Sequence, residues 1–539
     1  MCGIFALIKQ LTENSDKKLL SRQEIKSINK KIGFSLTQRG PDLTIPIIDK
    51  ETNSLFIFYR LSIMDTSSNG NQPFRPTEGR NIIMLCNGEI YNYKKLIKEH
   101  DLICYSDSDS EVILRLYEKY NDFNKIVSLL DGVYAILLFD NKELFLARDR
   151  IGVRPLFYSN LEKELAVSSL VKPITNLGNP KLEINEIMPG MIYHWKNIED
   201  IPSITPISFP QLPERYKITN MEKAIKDVRN ILTHSVSKRI DCDRPIACLL
   251  SGGLDSTIVA AILCKLIGSE KVRTYSIGMK GGTDLKYAKI AADFLKTKHT
   301  EVFFTEEEGL EAIEEVIEAI ESYDITTVRA SVPMYLLSKY ISNETDDIVV
   351  FSGEGADELF CGYLYFHNAP SPQDAKDEST RLIKQLYKYD VLRADRTVSA
   401  NGLEFREPFL DNNLVEFALQ LSGEMKQPQD GWEKLILRKA FEDILPPEVA
   451  WRRKEGFSDG NSSLERPWKD CITEYVDTII DDEEFNNNSE FMSKEQLYYR
   501  LLFDIYFPNY DVNIVPWMPK WSGNLTDPSG RLIKAFDEK

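Results

Sequence analysis

Two glycine-rich, acid-bearing loops, each placed directly behind a short apolar run, constrain this chain more than any other feature. Ile246–Leu250 is a continuous apolar run of the kind that forms a strand covered on both faces. It leads into Ser251-Gly252-Gly253-Leu254-Asp255-Ser256 and then an apolar helix reaching about Leu266. Ile348–Phe351 leads in the same way into Ser352-Gly353-Glu354-Gly355-Ala356-Asp357-Glu358. Further strands are expected at Val272–Ile277 and Val302–Phe304. Between them Tyr287, Ile290, Ala291, Phe294 and Leu295 recur at helical spacing and form an amphipathic stripe. Such alternation implies a parallel sheet wrapped by helices, an α/β architecture. Ligands of open α/β sheets bind at the carboxyl ends of the strands, which is where both loops fall.

The chemistry of the first loop suits a phosphate. Its glycines permit tight turns and close backbone approach. Its amides and hydroxyls face an anion at a helix N-terminus, where the dipole favours negative charge. No G-x-x-x-x-G-K-[ST] sequence occurs, so this is not an ordinary Walker loop. Asp255 would repel a phosphate unless a metal lay between them, which implies Mg²⁺. Asp357 on the second loop is placed to share that ion. Either loop alone reads equally as a glycine-rich strand-to-helix turn; two acid-bearing loops at equivalent positions do not.

The first half reads differently. Leu55–Tyr59, Ile82–Cys86, Val133–Phe139 and Glu143–Ala147 are short β-type runs separated by turn residues such as Asp140-Asn141. Packed antiparallel sheets are expected, with a few helices such as Asp109–Tyr120. A boundary is expected near 198–215, where Pro202, Pro206, Pro210 and Pro213 exclude a regular helix. From about 375 onward helical patterning dominates, and Asn486–Asn488 reads as a loop.

Cys2 follows the initiator Met1. Removal of Met1 would leave one residue carrying both a thiol and an α-amine with a pKa of about 8. Such an amine can act as general base toward its own thiol, without a histidine. Acidic residues outnumber basic ones 83 to 66, a formal net charge of −17, which argues against a nucleic-acid scaffold. The eight cysteines are scattered with no C-x-x-C pair, so neither a zinc site, a redox motif nor a disulfide framework is indicated. The apolar run Ile4–Ile8 is too short for a signal peptide, and Ile258–Ile267 is interrupted by Lys265 and too short to span a bilayer. These features predict a cytoplasmic protein without a membrane partner.

The chain as a whole resembles the glutamine-dependent asparagine synthetases, the bacterial B-type in particular. In the first half the resemblance lies in Cys2-Gly3-Ile4-Phe5, Arg39-Gly40-Pro41-Asp42, Arg60-Leu61-Ser62-Ile63, Asn87-Gly88-Glu89-Ile90-Tyr91-Asn92 and Ser108-Asp109-Ser110-Glu111. In the second it lies in both glycine loops, Asp284-Leu285-Lys286, the segment Glu321 to Ser331, Gly362 to His367, Pro408-Phe409-Leu410-Asp411, Trp451 to Glu455 and Asp527-Pro528-Ser529-Gly530-Arg531. The resemblance implies an N-terminal-nucleophile αββα sandwich over 1–205, acting as a class II glutaminase. It implies an adenylating synthetase domain with a pyrophosphatase loop over 206–539.

The resemblance also implies roles. Cys2 would attack the glutamine amide to give a γ-glutamyl thioester, with Asn87 and the Gly88 amide as oxyanion hole. Arg60, Leu61, Ile63, Asn87, Gly88, Glu89 and Asp109 would bind glutamine, Arg60 on its carboxylate and Glu89 and Asp109 on its ammonium. ATP would lie against Leu249, Leu250, Ser251, Gly252, Gly253, Leu254, Asp255, Ser256, Ile277, Ser352, Gly353 and Lys454, with Asp255 and Asp357 on Mg²⁺. Glu354 would take a proton from nitrogen arriving at β-aspartyl-AMP. An internal ammonia passage and a homodimer are implied as well.

Five positions depart from the family pattern: Gln38, Asp107, Ser169, Cys361 and Glu407, the last standing where an apolar residue is usual. None is the nucleophile, a loop glycine or Glu354. Two other readings compete. One is a relative that adenylates another carboxylate, as β-lactam-forming enzymes do; the other is a non-catalytic binding protein. The first tends to lose the N-terminal cysteine or the Thr326–Ser331 segment, and both are present here. The second predicts damage at Cys2, Asp255 or Glu354, and there is none.

Overall fold

The computed structural model describes residues 1–9, 19–77, 79–161, 164–178, 182–207, 218–463, 465–488, 490–508, 510, 512, 514–523 and 527–528. Part of the proline-rich boundary segment (208–215) and the terminal Ser529-Gly530-Arg531 lie outside the described residues.

Two antiparallel sheets form the first half. The six-stranded one runs in the order Leu43–Ile48, Leu55–Arg60, Gly3–Lys9, Glu164–Ser168, Phe157–Leu161, Ile184–Glu186. The five-stranded one runs Ser203–Pro206, Met191–Trp195, Glu143–Arg148, Gly132–Asp140, Ile82–Ile90. Side chains of a strand alternate between faces, and here the alternation assigns the layers. Ile4, Ala6, Phe56, Phe58, Ile83, Leu85, Leu137 and Leu146 meet in one core between the sheets. Phe5, Leu7, Ile57 and Tyr59 turn the other way, onto Ile32 and Leu36 of the helix Arg22–Arg39. Met84, Cys86, Ile136 and Leu138 turn onto Val112 and Leu116 of the helix Glu111–Tyr120. The result is helix, sheet, sheet, helix: the expected αββα sandwich. Each such buried aliphatic or aromatic side chain contributes about 1.5–3 kcal/mol.

The second half holds a five-stranded parallel sheet in the order Lys298–Phe303, Arg273–Gly278, Ile246–Leu249, Val349–Phe351, Glu404–Arg406. Ile246–Leu249 and Val349–Phe351 are neighbours, with Cys248 opposite Phe351, so their two loops leave the sheet side by side. Gly252 shows why the first loop needs glycine. Its φ is +68°, and a Cβ there would sit 2.2 Å from the Ala288 backbone nitrogen. The second loop packs on the first so closely that a Cβ on Gly353 would lie 2.7 Å from the Ser256 nitrogen.

One expectation needs correction, at Asn486–Asn488, and two further strands come into view. Glu404–Arg406 is a fifth parallel strand that its charged ends concealed. Asn486 and Asn487 are not loop; they end the short helix Asp482–Asn487, which Asp481 caps. Pro206 lies in the edge strand Ser203–Pro206, where a missing N–H is tolerated. No helix among the described residues is long and apolar enough to cross a membrane, and all eight cysteines are unpaired.

The two halves meet along a buried polar seam. Arg39 grips Asp395 through Nη1 at 2.7 Å and Nη2 at 3.3 Å, and Ser399 at 2.8 Å. Arg154 donates to the Phe405 carbonyl at 3.0 Å. Glu321 accepts the Val171 and Lys172 amides at 2.9 and 2.8 Å.

Candidate active sites

Cys2 enters the strand Gly3–Lys9 at the face of the sandwich nearest the seam. The Leu61 amide and carbonyl each lie 3.4 Å from its Sγ, and the Arg39 Nε donates to its carbonyl at 3.1 Å. With Met1 in place, burial pushes the thiol up to about 11, a poor nucleophile. The Met1 ammonium donates to the Leu403 carbonyl at 2.9 Å, and burial pushes it down to about 5.

Asn87, Gly88 and Glu89 lie in Ile82–Ile90. The Asn87 Nδ2 is buried without a hydrogen-bond partner among the described residues, a donor available to a substrate oxygen. A Cβ on Gly88 would lie 2.1 Å from the Val133 carbonyl, so only glycine fits there. Arg60 is buried, with its fork on Ser67 (2.7 Å), Asn71 (2.6 Å) and the Asp65 carbonyl. Those bonds fix its orientation. Leu61 and Ile63 pack with Val133, Ile151 and Val153. Asp109 accepts the Ile90 amide at 2.5 Å, and burial pushes its carboxyl up to about 6. Glu89 reaches across the seam to Arg406, Oε2 to Nη2 at 3.2 Å. Burial, then Glu404 and Asp109, push its carboxyl well above the usual range against that arginine.

The second pocket opens at the carboxyl ends of the parallel strands. Leu249, Leu250, Ser251, Gly253, Leu254, Asp255, Ser256, Ile277, Ser352, Gly353, Glu354, Asp357 and Lys454 all line it. Gly252 alone of the sequence-predicted set does not; it turns the loop behind them. Two residues that no local pattern singles out, Lys434 and Arg393, complete the pocket. Lys434 contacts Asp255 and lies 2.6 Å from Asp357 Oδ1, while Lys454 lies 2.8 Å from Asp357 Oδ2. Burial would raise Asp357, but the two ammoniums outweigh it and hold its carboxyl down to about 2. Arg393 forks onto Glu354 at 3.2 and 3.0 Å and onto Asp390 at 2.6 Å. Burial raises the Glu354 carboxyl, and Asp390 adds to this against Arg393.

The donor set suits Mg²⁺. Asp255 and Asp357 converge on one point, and Asp255 Oδ1 is buried with no hydrogen-bond partner among the described residues. Both are hard oxygen ligands of the kind this ion takes alongside phosphates. No group of three or more His, Cys, Asp or Glu side chains suited to a metal occurs among the described residues, so protein carboxylates alone do not enclose it.

A second cavity adjoins the first and shares Tyr363, Asp390, Arg393, Lys454 and Phe457 with it. Thr326, Thr327, Ala330 and Trp517 form its far wall. Arg329 borders it with its charge met by Glu495 at 2.5 Å and Asp527 at 2.8 Å.

The family model described as glutamine amidotransferase domain matches residues 1–205, and the one described as asparagine synthase matches 227–378 and 369–502. The chain is 41% identical to the glutamine-hydrolysing asparagine synthetase of Homo sapiens, over 99% of both chains. It is 40% identical to that of Mus musculus and 39% to that of Gallus gallus, again over 99% of each. The chain belongs to the glutamine-hydrolysing asparagine synthetase family.

Proposed function

We propose that residues 1–205 release ammonia from glutamine and residues 206–539 use it to amidate aspartate. The overall reaction is ATP + L-aspartate + L-glutamine + H₂O to AMP + diphosphate + L-asparagine + L-glutamate. The observation that carries this reading is one short strand touching both sites. Arg406 of Glu404–Arg406 contacts Glu89 on one side, and its carbonyl accepts the Ser352 amide at 3.1 Å on the other.

In the first site, Cys2 Sγ adds to the glutamine amide carbon. Asn87 Nδ2 and the Gly88 amide face the developing oxyanion, each worth about 3–4 kcal/mol by analogy with single oxyanion donors. Collapse expels ammonia and leaves a γ-glutamyl thioester, which water hydrolyses to glutamate. Removal of Met1 supplies the α-amine as base in place of the amide that residue 2 carries otherwise. Arg60, oriented by Ser67 and Asn71, faces the substrate carboxylate, while Glu89 and Asp109 face its ammonium.

In the second site, the Ser251 and Ser352 loops hold ATP phosphates with amides and hydroxyls. Lys434 and Lys454 balance the charge of Asp255 and Asp357 until nucleotide arrives. Asp255 and Asp357 would hold Mg²⁺, which when bound neutralises phosphate charge. The aspartate side-chain carboxylate, lodged toward Thr326 and Thr327, attacks the α-phosphorus and displaces diphosphate, giving β-aspartyl-AMP. Ammonia then attacks the acyl carbon and AMP leaves. Glu354, aimed by Arg393 and with its basicity raised by burial, takes the proton shed by that nitrogen. The unpaired cysteines fit a cytoplasmic setting, and the resemblance adds a homodimer.

Diphosphate release with magnesium ATP tests this, with aspartate and glutamine added separately and together. Aspartate-dependent release is expected, with asparagine and glutamate appearing only when both are present. Release indifferent to aspartate would move the substrate to another carboxylate.

A further inference from the structure

Five buried polar atoms without hydrogen-bond partners among the described residues gather at one place on the seam. They are Tyr91 Oη, Arg154 Nε, Arg239 Nε and both carboxylate oxygens of Glu407. The Arg239 guanidinium lies 4.4 Å from the centre of the Tyr91 ring, and Arg154 Nη1 lies 3.9 Å from Glu407 Oε1. Buried polar groups almost always find partners, so a cluster of orphans marks a place for a small polar molecule.

Its position is informative. Leu403 accepts from Met1 beside Cys2, Phe405 accepts from Arg154, and Arg406 accepts from Ser352 beside Glu354. Glu407 follows directly, so the cluster sits on the segment joining the two sites. The other charges around it are spoken for. Asp395 is gripped by Arg39, and Arg239 holds Asp411 at 2.8 Å. Asp149 accepts the amides of Ile151, Gly152, Val153 and Arg154. Among the described residues neither oxygen of Glu407 has a hydrogen-bond partner, and its nearest cation is Arg154 at 3.9 Å. Burial pushes it up to about 8, Arg154 and Arg239 opposing and Asp395 and Asp149 adding, so it is mainly neutral at pH 7.

A neutral carboxyl beside neutral ammonia buries no charge. A carboxylate there instead draws ammonium from the ammonia–ammonium equilibrium, and ammonium has no lone pair with which to attack. Resting on the reading that ammonia travels from Cys2 to Glu354, we propose that the Glu407 carboxyl is its hydrogen-bonding station in the seam. Protonated, it passes ammonia on; ionised, it retains ammonium and uncouples the two sites.

The test is the ratio of glutamate to asparagine formed from glutamine, measured from pH 7 to 9 in the wild type and in Glu407→Gln. The wild-type ratio is expected to rise several-fold above pH 8, while that of Glu407→Gln stays flat. Glu407→Leu, made alongside in case the amide variant does not fold, is expected to lack the rise as well. Synthesis from added ammonium chloride is the folding control and keeps the same pH profile in all three. Superimposed ratio profiles for wild type and variants would overturn the proposal. No asparagine from either nitrogen source in the wild type would instead overturn the underlying reading.

Discussion

Lys434 Nζ lies 2.6 Å from Asp357 Oδ1 and at the same time contacts Asp255, so one ammonium joins the acidic groups of both glycine loops. Its side chain is 3% exposed. Without it two buried carboxylates would share one site, and such a pair cannot both stay ionised at low cost. Lys434→Met is expected to lower diphosphate release by about 10²-fold or more, the scale of losing one electrostatic stabiliser. It is also expected to lower the melting temperature, with a smaller deficit when magnesium ATP is present. Equal deficits with and without the nucleotide would contradict this role.

Asp395 is the keystone of the seam. Burial opposes its ionisation, but Arg39 and then Arg154 hold its carboxyl below the usual range. A depressed acid of this kind gives stability that is present above its unfolded pKa, near 3.8, and lost as pH falls through the folded value. Asp395→Ala leaves Arg39 buried without its partner, a loss of about 3–5 kcal/mol. Denaturation at pH 7 should show the full loss, and the gap from wild type should narrow toward pH 3. A gap constant with pH would contradict the assignment.

Glu407 carries the opposite sign. Its folded pKa of about 8 lies above the ordinary glutamate value, with burial the main cause. Between about pH 4.5 and 8 the folded chain keeps a proton that the unfolded chain has lost, so this group subtracts stability as pH rises. Glu407→Gln is therefore expected to melt near wild type at pH 4.5 and above it at pH 8. A melting difference that does not grow with pH would show that the carboxyl is not held neutral.

Much of this was legible in the chain. The strands behind both loops, the helix Thr283–Leu295 and the antiparallel runs of the first half follow from periodicity, because burial on two faces or one leaves a direct mark on residue order. Gly252 was legible as a loop glycine; its close approach to Ala288 was not, since that contact joins separate elements. Lys434, Arg393 and Arg406 escaped for the same reason. Each is a charged residue in unremarkable local sequence, and only the fold brings it to Asp357, Glu354 or Glu89. Glu404–Arg406 escaped because a strand of three residues with charged ends has no hydrophobic period to read.

The most direct test of two joined sites in one chain is Cys2→Ala, assayed for asparagine with glutamine and, separately, with ammonium chloride. Cys2 touches Leu61 and Arg39 in the first half, while the ATP pocket is lined wholly by residues of the second. Glutamine-dependent synthesis is predicted to vanish while ammonium-dependent synthesis stays within about two-fold of wild type, a change of less than ~0.5 kcal/mol in the barrier. Loss of both activities together would contradict the separation of the sites.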